Sequence, residues 1–277
     1  MSALPNLLYK YRSVNDKTLE ALRQGKSWFS NRYQLNDPYD CFVRMPKAIT
    51  VGDMRRLHQL VTGRRYVPSA KSRQQILSAI EASRDPFDRL GLIAEYAQDQ
   101  QLVDALSMPS PAVDAIWFGS YLALGEFFDA VTVLCLTEAP DNKVMWGNYA
   151  DSYRGFCIGY TLELSHPLAT RLRPVEYVSD ASPVDLRAAI IDPVGTRDAL
   201  VYKKPVDWQY EREWRVTVAG EPALIGPPLR MIEIIFGSSM QQQERELVAN
   251  AVGTAAVRFR QLRLAYKRGY DLAVTDL

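Results

Sequence analysis

The stretch VDWQYEREWRVTV, residues 206–218, decides how this chain is read, because it sets two glutamates, two arginines and two tryptophans within eight residues of a β-like run. Alternation on a strand places Glu211, Glu213, Arg215 and Thr217 on one face, with Tyr210, Arg212, Trp214, Val216 and Val218 on the other. The aromatic and β-branched face belongs to a core. The charged face is either solvated, where its ion pairs contribute little, or it holds a carboxylate rigidly enough to stabilise a developing positive charge.

Outward from this strand the pattern alternates between short β runs and helices without repeating. LLYKYR (7–12) and SWFS (27–30) read as strands on either side of a helix in VNDKTLEALRQGK (14–26), and LNDPYD (35–40) reads as a turn. Residues 51–130 have helical spacing punctuated by Pro68, Pro86, Pro109 and Pro111, and read as a helical insertion. Beyond it, AVTVLCLTE, GFCIGYTLEL and LRPVEYV read as strands, with a short helix in DNKVMWGNYAD. A helix in two pieces, broken at Pro193 and Gly195, is expected over 182–204; strand, strand, helix, strand then follow in REWRVTV, MIEIIFG, MQQQERELVANAV and VRFRQLRLA. The expectation is one α+β domain over 1–277, with a mixed, mostly antiparallel β core that can be built as two packed sheets, and with the insertion at 51–130.

Composition narrows the function classes. A chain of 277 residues with 47% hydrophobic and 10% aromatic content fills a sizeable core. The 33 basic side chains almost cancel the 32 acidic ones, so no global field steers the protein toward nucleic acid or an anionic membrane. Arg258, Arg260, Arg263, Lys267 and Arg268 form the one local basic run that points the other way. Cys41, Cys135 and Cys157 have neither zinc spacing nor a disulfide framework, so reduced thiols and no metal are expected. His58 and His166 are the only histidines, which argues against a Ser-His-Asp triad or a histidine-rich metal centre. No window approaches the ~20 apolar residues of a membrane helix, and the opening residues lack an apolar run of signal-peptide length. A bacterial-type cytoplasmic setting with no membrane partner is expected.

Several stretches can carry chemistry. On a strand, Lys10 and Arg12 share one face while Tyr9 and Tyr11 share the other, so the chain sets two cations where an anion such as a pyrophosphate can meet them; an edge strand guarded by charge explains the same spacing. In LNDPYD, Asn36 and Asp37 favour a turn and Pro38 holds Asp37 extended; the same loop can shape a ligand site beside Trp28 and Ser30. In the 145–160 segment, MWGNYADSYRGFCIGY, Met145, Trp146 and Tyr149 have helical spacing, and Gly159 inside a strand implies that something packs closely against its backbone.

Taken together, LLYKYRS, SWFSNRYQLNDPYD, MWGNYADSYRGFCIGY, YEREWR and IIFGSSM resemble, in this order, the motifs of a widespread and largely bacterial family known only as a domain of unknown function. The resemblance covers nearly the whole chain. Members tend to carry histidines where this chain has Asn148 and Tyr153, which argues against a histidine-dependent role there.

The layout is more distantly similar to the ADP-ribosyltransferase fold, with an early strand that grips the dinucleotide, a second carrying an aromatic residue and a serine, and a late strand bearing a catalytic glutamate. That resemblance implies Lys10 or Arg12 for the first role, Phe29 and Ser30 for the second, and Glu213 for the third, with Glu211 completing a Glu-x-Glu pair. The first position usually holds His or Arg, and the serine strand here lacks Ser-Thr-Ser. NAD is then expected as a substrate, attacked with help from Glu213 and Glu211 and bound by Lys10, Arg12, Trp28, Phe29, Ser30, Asn36, Asp37, Trp146, Tyr149 and Tyr153; the acceptor would be a protein or a nucleic acid. The alternatives are a nucleotide- or protein-binding module without turnover and an effector directed at nucleic acid.

Overall fold

In the computed structural model the described residues are 4–41, 73–82, 129–180, 193–264 and 271–277. The chain divides into two compact units, one of Met1–Cys41, Val131–Ser179 and Tyr202–Leu277 and the other of Phe42–Ala130 and Asp180–Val201. The second unit contributes two described helices, α2 (Arg73–Ala82) and α4 (Pro193–Val201). The insertion expected over 51–130 otherwise lies outside the described residues. Pro193 opens α4, a position where a missing N–H costs no hydrogen bond, and Gly195 lies inside the helix without interrupting it; the piece expected before Pro193 lies outside the described residues.

The first unit is built on an eight-stranded, mostly antiparallel sheet. Its strands are β1 (Leu8–Arg12), β3 (Val131–Thr137), β4 (Phe156–Leu162), β5 (Leu172–Pro174), β8 (Glu213–Ala219), β10 (Leu229–Phe236), β11 (Arg258–Leu264) and β12 (Leu272–Asp276), in the order β12-β11-β10-β4-β1-β3-β8-β5. Only the β10–β11 pair is parallel. Two smaller sheets pair β2 (Ser27–Phe29) with β9 (Ala223–Ile225), and β6 (Glu176–Val178) with β7 (Lys203–Pro205). The result is a mixed α+β fold with separate helices.

Alternation gives the large sheet two unlike faces. On one, Leu134, Leu136, Phe156, Ile158, Trp214, Val216, Ile234 and Phe236 form an apolar core with helices α1 (Asp16–Arg23) and α5 (Gln242–Val252). α1 starts where Asn15 accepts the Thr18 N–H at 3.0 Å, and buries Leu19 and Leu22 one turn apart. On the opposite face Tyr9, Tyr11, Cys157, Ile235 and Leu262 pack with Met145 and Trp146 of helix α3 (Lys143–Tyr149). Trp146 is fully buried, set edge-on to Tyr11 with ring centroids 5.1 Å apart.

Close approach accounts for Gly159. A Cβ there would lie 2.5 Å from Cγ of Glu233, the residue paired with it across β4 and β10. The polar residues after α3 form a tight left-handed turn, with φ of 46°, 52° and 69° at Asp151, Ser152 and Tyr153. Backbone N–H groups of Ser152, Tyr153 and Gly155 bond back to Gly147, Trp146 and Ala150, and Arg154 pairs with Asp151 at 3.0 Å. These bonds hold a conformation that L-residues adopt at a cost.

The alternation expected from Tyr210 begins three residues later. Residues Val206–Glu211 form a 3-10 turn, and Arg212 takes a left-handed φ of 42° before β8 starts at Glu213. Glu213, Arg215 and Thr217 then share a face opposite Trp214, Val216 and Val218, as the register with β3 requires. Glu211 reaches the same region from the turn and not from the strand.

Candidate functional site

A cavity of about 270 Å³ opens where β1 and β3 part. The two strands share a single pair, Tyr9 with Thr137. Four residues back along β3, Val133 exchanges backbone hydrogen bonds of 2.8 and 2.9 Å with Ser30, so β3 passes from β1 to the end of β2. The Cys135 carbonyl points into the gap between these two pairings and accepts from Lys10 Nζ at 2.7 Å. By parity Lys10 and Arg12 lie on the opposite face from Glu213, yet the gap lets both line the same cavity as Glu211 and Glu213.

One wall is a buried charge cluster that contradicts the solvated reading of the strand face. Arg215 has no exposed surface, and Glu213, Glu211, Lys204 and Asp40 are buried around it. Arg215 Nε and Nη2 donate to Glu213 Oε1 and Oε2 at 2.8 and 3.0 Å, and Nη2 also reaches Asp40 Oδ2 at 2.7 Å. Lys204 Nζ donates to Glu211 Oε2 at 2.6 Å and Glu213 Oε2 at 3.0 Å, and lies 3.5 Å from Asp40 Oδ2. Tyr149 OH donates to the other oxygen of Glu211 at 2.7 Å. Charges so far from water persist only because each has partners at hydrogen-bond distance.

Each member is delivered by a local device. The NDPYD turn is held by Asp37, whose Oδ1 accepts the Tyr39 N–H at 2.9 Å and whose carbonyl accepts the Asp40 N–H at 3.0 Å; it carries Asp40 to Arg215. Lys204 sits opposite Tyr177 in the small β6–β7 sheet and lies over the Trp208 ring at 5.0 Å. Thr137 donates its hydroxyl to the Glu211 carbonyl and fixes the turn before β8. Tyr177 OH accepts the Glu213 N–H at 2.8 Å.

Three carboxylates face two cations in this cluster, and the imbalance separates the two glutamates. Burial pushes the Glu213 carboxyl up, but the charge of Arg215 and its hydrogen bonds, with Lys204 behind them, outweigh burial and bring it down to about 2. Glu211 shifts upward, because burial outweighs its contacts with Lys204 and Tyr149. Lys204 shifts up, since Glu213, Asp40 and Glu211 overcome its burial. Lys10 is the opposite case: burial and then the neighbouring charge of Arg12 lower it to about 7.

Of the residues singled out in the sequence, Lys10, Arg12, Ser30, Asn36, Tyr149, Glu211 and Glu213 line the cavity. The other candidate binding residues, Trp28, Phe29, Asp37, Trp146 and Tyr153, are not among its described lining residues. Phe29 is fully buried in the apolar core, and Trp28, paired through Nε1 with Gln34 at 3.2 Å, is exposed. Asp37 serves the turn, Trp146 the second core, and Tyr153 stacks on Trp146 with its hydroxyl donated to the Lys143 carbonyl. Lys204, Asp40 and Arg215 were not among the candidates. Asp40 closes the quoted NDPYD motif and Arg215 the quoted YEREWR motif, so both were within sight; Lys204, seven residues before Glu211, carries no local signal.

Among the described residues no group of three or more His, Cys, Asp or Glu is arranged to hold a metal ion; three carboxylates converge on an ammonium and a guanidinium instead. Among them, too, no helix is long and apolar enough to cross a membrane. In the basic run, Arg258 and Arg260 approach Glu233 at 3.5 and 3.4 Å and Arg260 pairs with Asp276 at 2.9 Å, while Lys267 and Arg268 lie outside the described residues. Comparison of the chain with protein-family models, curated proteins and solved structures finds no match.

Proposed function

We propose that the cavity takes the nicotinamide–ribose end of a nicotinamide dinucleotide and breaks the bond between ribose and nicotinamide, passing ADP-ribose to water or to a protein or nucleic-acid acceptor. The observation that carries this reading is the pair of carboxylates driven in opposite directions on one wall, Glu213 down to about 2 and Glu211 up, across from Lys10 and Arg12. Divergent carboxylates divide naturally into a charge stabiliser and a proton carrier. Departure of nicotinamide develops oxocarbenium character on the ribose, which an ionised Glu213 stabilises. Glu211, held by Tyr149 at 2.7 Å, receives the proton of the attacking acceptor. Arg12 and Lys10 meet the phosphates. At about 270 Å³ the cavity is smaller than the ~300–1,000 Å³ usual for a whole ligand, so the adenosine end stays outside it. The distant resemblance to the ADP-ribosyltransferase fold implies the same role for Glu213.

A second reading has its own observation. Both Glu213 oxygens are engaged by Arg215 and Lys204, so an approaching sugar meets a carboxylate whose charge is already matched. That arrangement suits a module that binds a nucleotide without turnover. Incubation of the purified protein with NAD separates the two: the catalytic reading expects nicotinamide release, slowed ~10²-fold or more in Glu213→Gln with dinucleotide binding retained. Binding without release by the unaltered protein would sink the catalytic reading in favour of the second.

A further inference from the structure

The two lysines of the cavity have opposite surroundings. Lys204 is locked among three carboxylates and stays an ammonium. Lys10 stands half-buried across the cavity with one donor fixed on the Cys135 carbonyl at 2.7 Å, and no carboxylate lies within ion-pair distance of it among the described residues. We propose that Lys10 is a nucleophilic amine that condenses with the aldehyde of a small anionic carbonyl compound, of the sugar-phosphate class, drawn into the gap between β1 and β3.

Geometry supplies each requirement. The hydrogen bond to Cys135 orients the nitrogen at the cavity wall, leaving its lone pair for an incoming carbon once a proton is lost. The ionisable groups that act on this amine are Arg12 on β1, Cys135 on β3, Glu211 from the turn before β8 and Glu213 on β8. Burial and Arg12 prevail over the carboxylates and bring the amine to about 7, so a large fraction is neutral near neutral pH. Arg12 also lines the cavity, and its guanidinium makes no side-chain hydrogen bond among the described residues, which leaves it to hold the anionic group of the ligand.

The step balances without an added oxidant or reductant. The nitrogen lone pair attacks the aldehyde carbon, a proton moves from nitrogen to the former carbonyl oxygen, and the carbinolamine loses that oxygen as water to leave a C=N bond. Glu211, whose carboxyl is shifted upward on the same cavity, can supply and take back the proton that water formation needs. This chemistry does not depend on cleavage of a glycosidic bond, so it can stand or fall separately from nicotinamide release.

The test is reductive trapping. Purified protein is mixed with glyceraldehyde 3-phosphate and borohydride, and the adduct is located by peptide mass spectrometry. Lys10 is expected to label ~10-fold or more faster than exposed lysines such as Lys26 at pH 7–8, with Lys204 unlabelled. Lys10→Arg should remove the fast phase. Arg12→Gln should slow trapping of both probes, because Arg12 helps keep the amine neutral, but should slow the phosphorylated probe more, so that its preference over uncharged glyceraldehyde is lost. Adducts spread over exposed lysines with no preference for Lys10 in the unaltered protein would overturn the proposal, and an undiminished phosphate preference in Arg12→Gln would overturn the anion-holding role.

Discussion

Glu213 and Glu233 stand on the same face of the large sheet, and both are almost fully buried, at 3% and 1% exposure. Their partners differ. Glu213 is held by Arg215 and Lys204, themselves buried, within hydrogen-bond distance on both oxygens. Glu233 accepts from Tyr9 OH at 3.1 Å and meets the exposed Arg258 and half-buried Arg260 only at 3.5 and 3.4 Å. Beside Glu213 the sheet opens into a cavity, whereas Glu233 fills the space left by Gly159. Burial alone therefore does not mark a functional carboxylate. A matched, desolvated set of charges beside a void does so better, because the void gives the charge something to act on.

The largest expected effect tests the matching itself. Arg215→Met strands Asp40 and Glu213 without their guanidinium, and a loss of ~3–5 kcal/mol in chemical denaturation is expected, against ~1 kcal/mol or less for Arg260→Met. Equal losses would erase the distinction between the two glutamates. Acid should expose the same difference. The folded value for Glu213 lies below its ordinary 4.5, so its stabilisation is complete above that pH and is lost as pH falls toward about 2; in Glu213→Gln that loss should be absent from an acid-unfolding series.

A smaller effect sharpens the Glu233 side. Gly159→Ala drives a methyl to 2.5 Å from Glu233 Cγ, and a destabilisation of ~1–3 kcal/mol is expected. A double-mutant cycle with Glu233→Ala should recover much of it, since the clashing carbon is then gone; additive losses would show that the crowding lies elsewhere. Next comes Lys10. Its folded value of about 7 lies below the ordinary 10.5, so the unfolded chain binds more protons between those values and stability should rise with pH across that window. Lys10→Met should flatten that rise. The smallest change expected is Tyr9→Phe, which removes one hydrogen bond to Glu233 and should cost ~1 kcal/mol by thermal or chemical unfolding.

Local pattern determined most of the elements in this protein. The aromatic and β-branched alternation of LLYKYR and VTVLCLT, the Asn15 cap and the apolar spacing of α1 lead directly to the strands and helix observed, because period and capping are short-range properties. Gly159 was legible as a site of close approach, though not that Glu233 would be the group approaching. Tertiary structure alone decided that Glu211 leaves the strand through the left-handed Arg212, and that β3 deserts β1 for Ser30 and so opens the cavity. It also decided that Lys204 and Asp40, from separate segments of the first unit, close around Glu213 and Arg215. Ion pairing carries no sequence period. A charge finds its partner only when the backbone has already placed both in the same dry space, and that placement belongs to the fold.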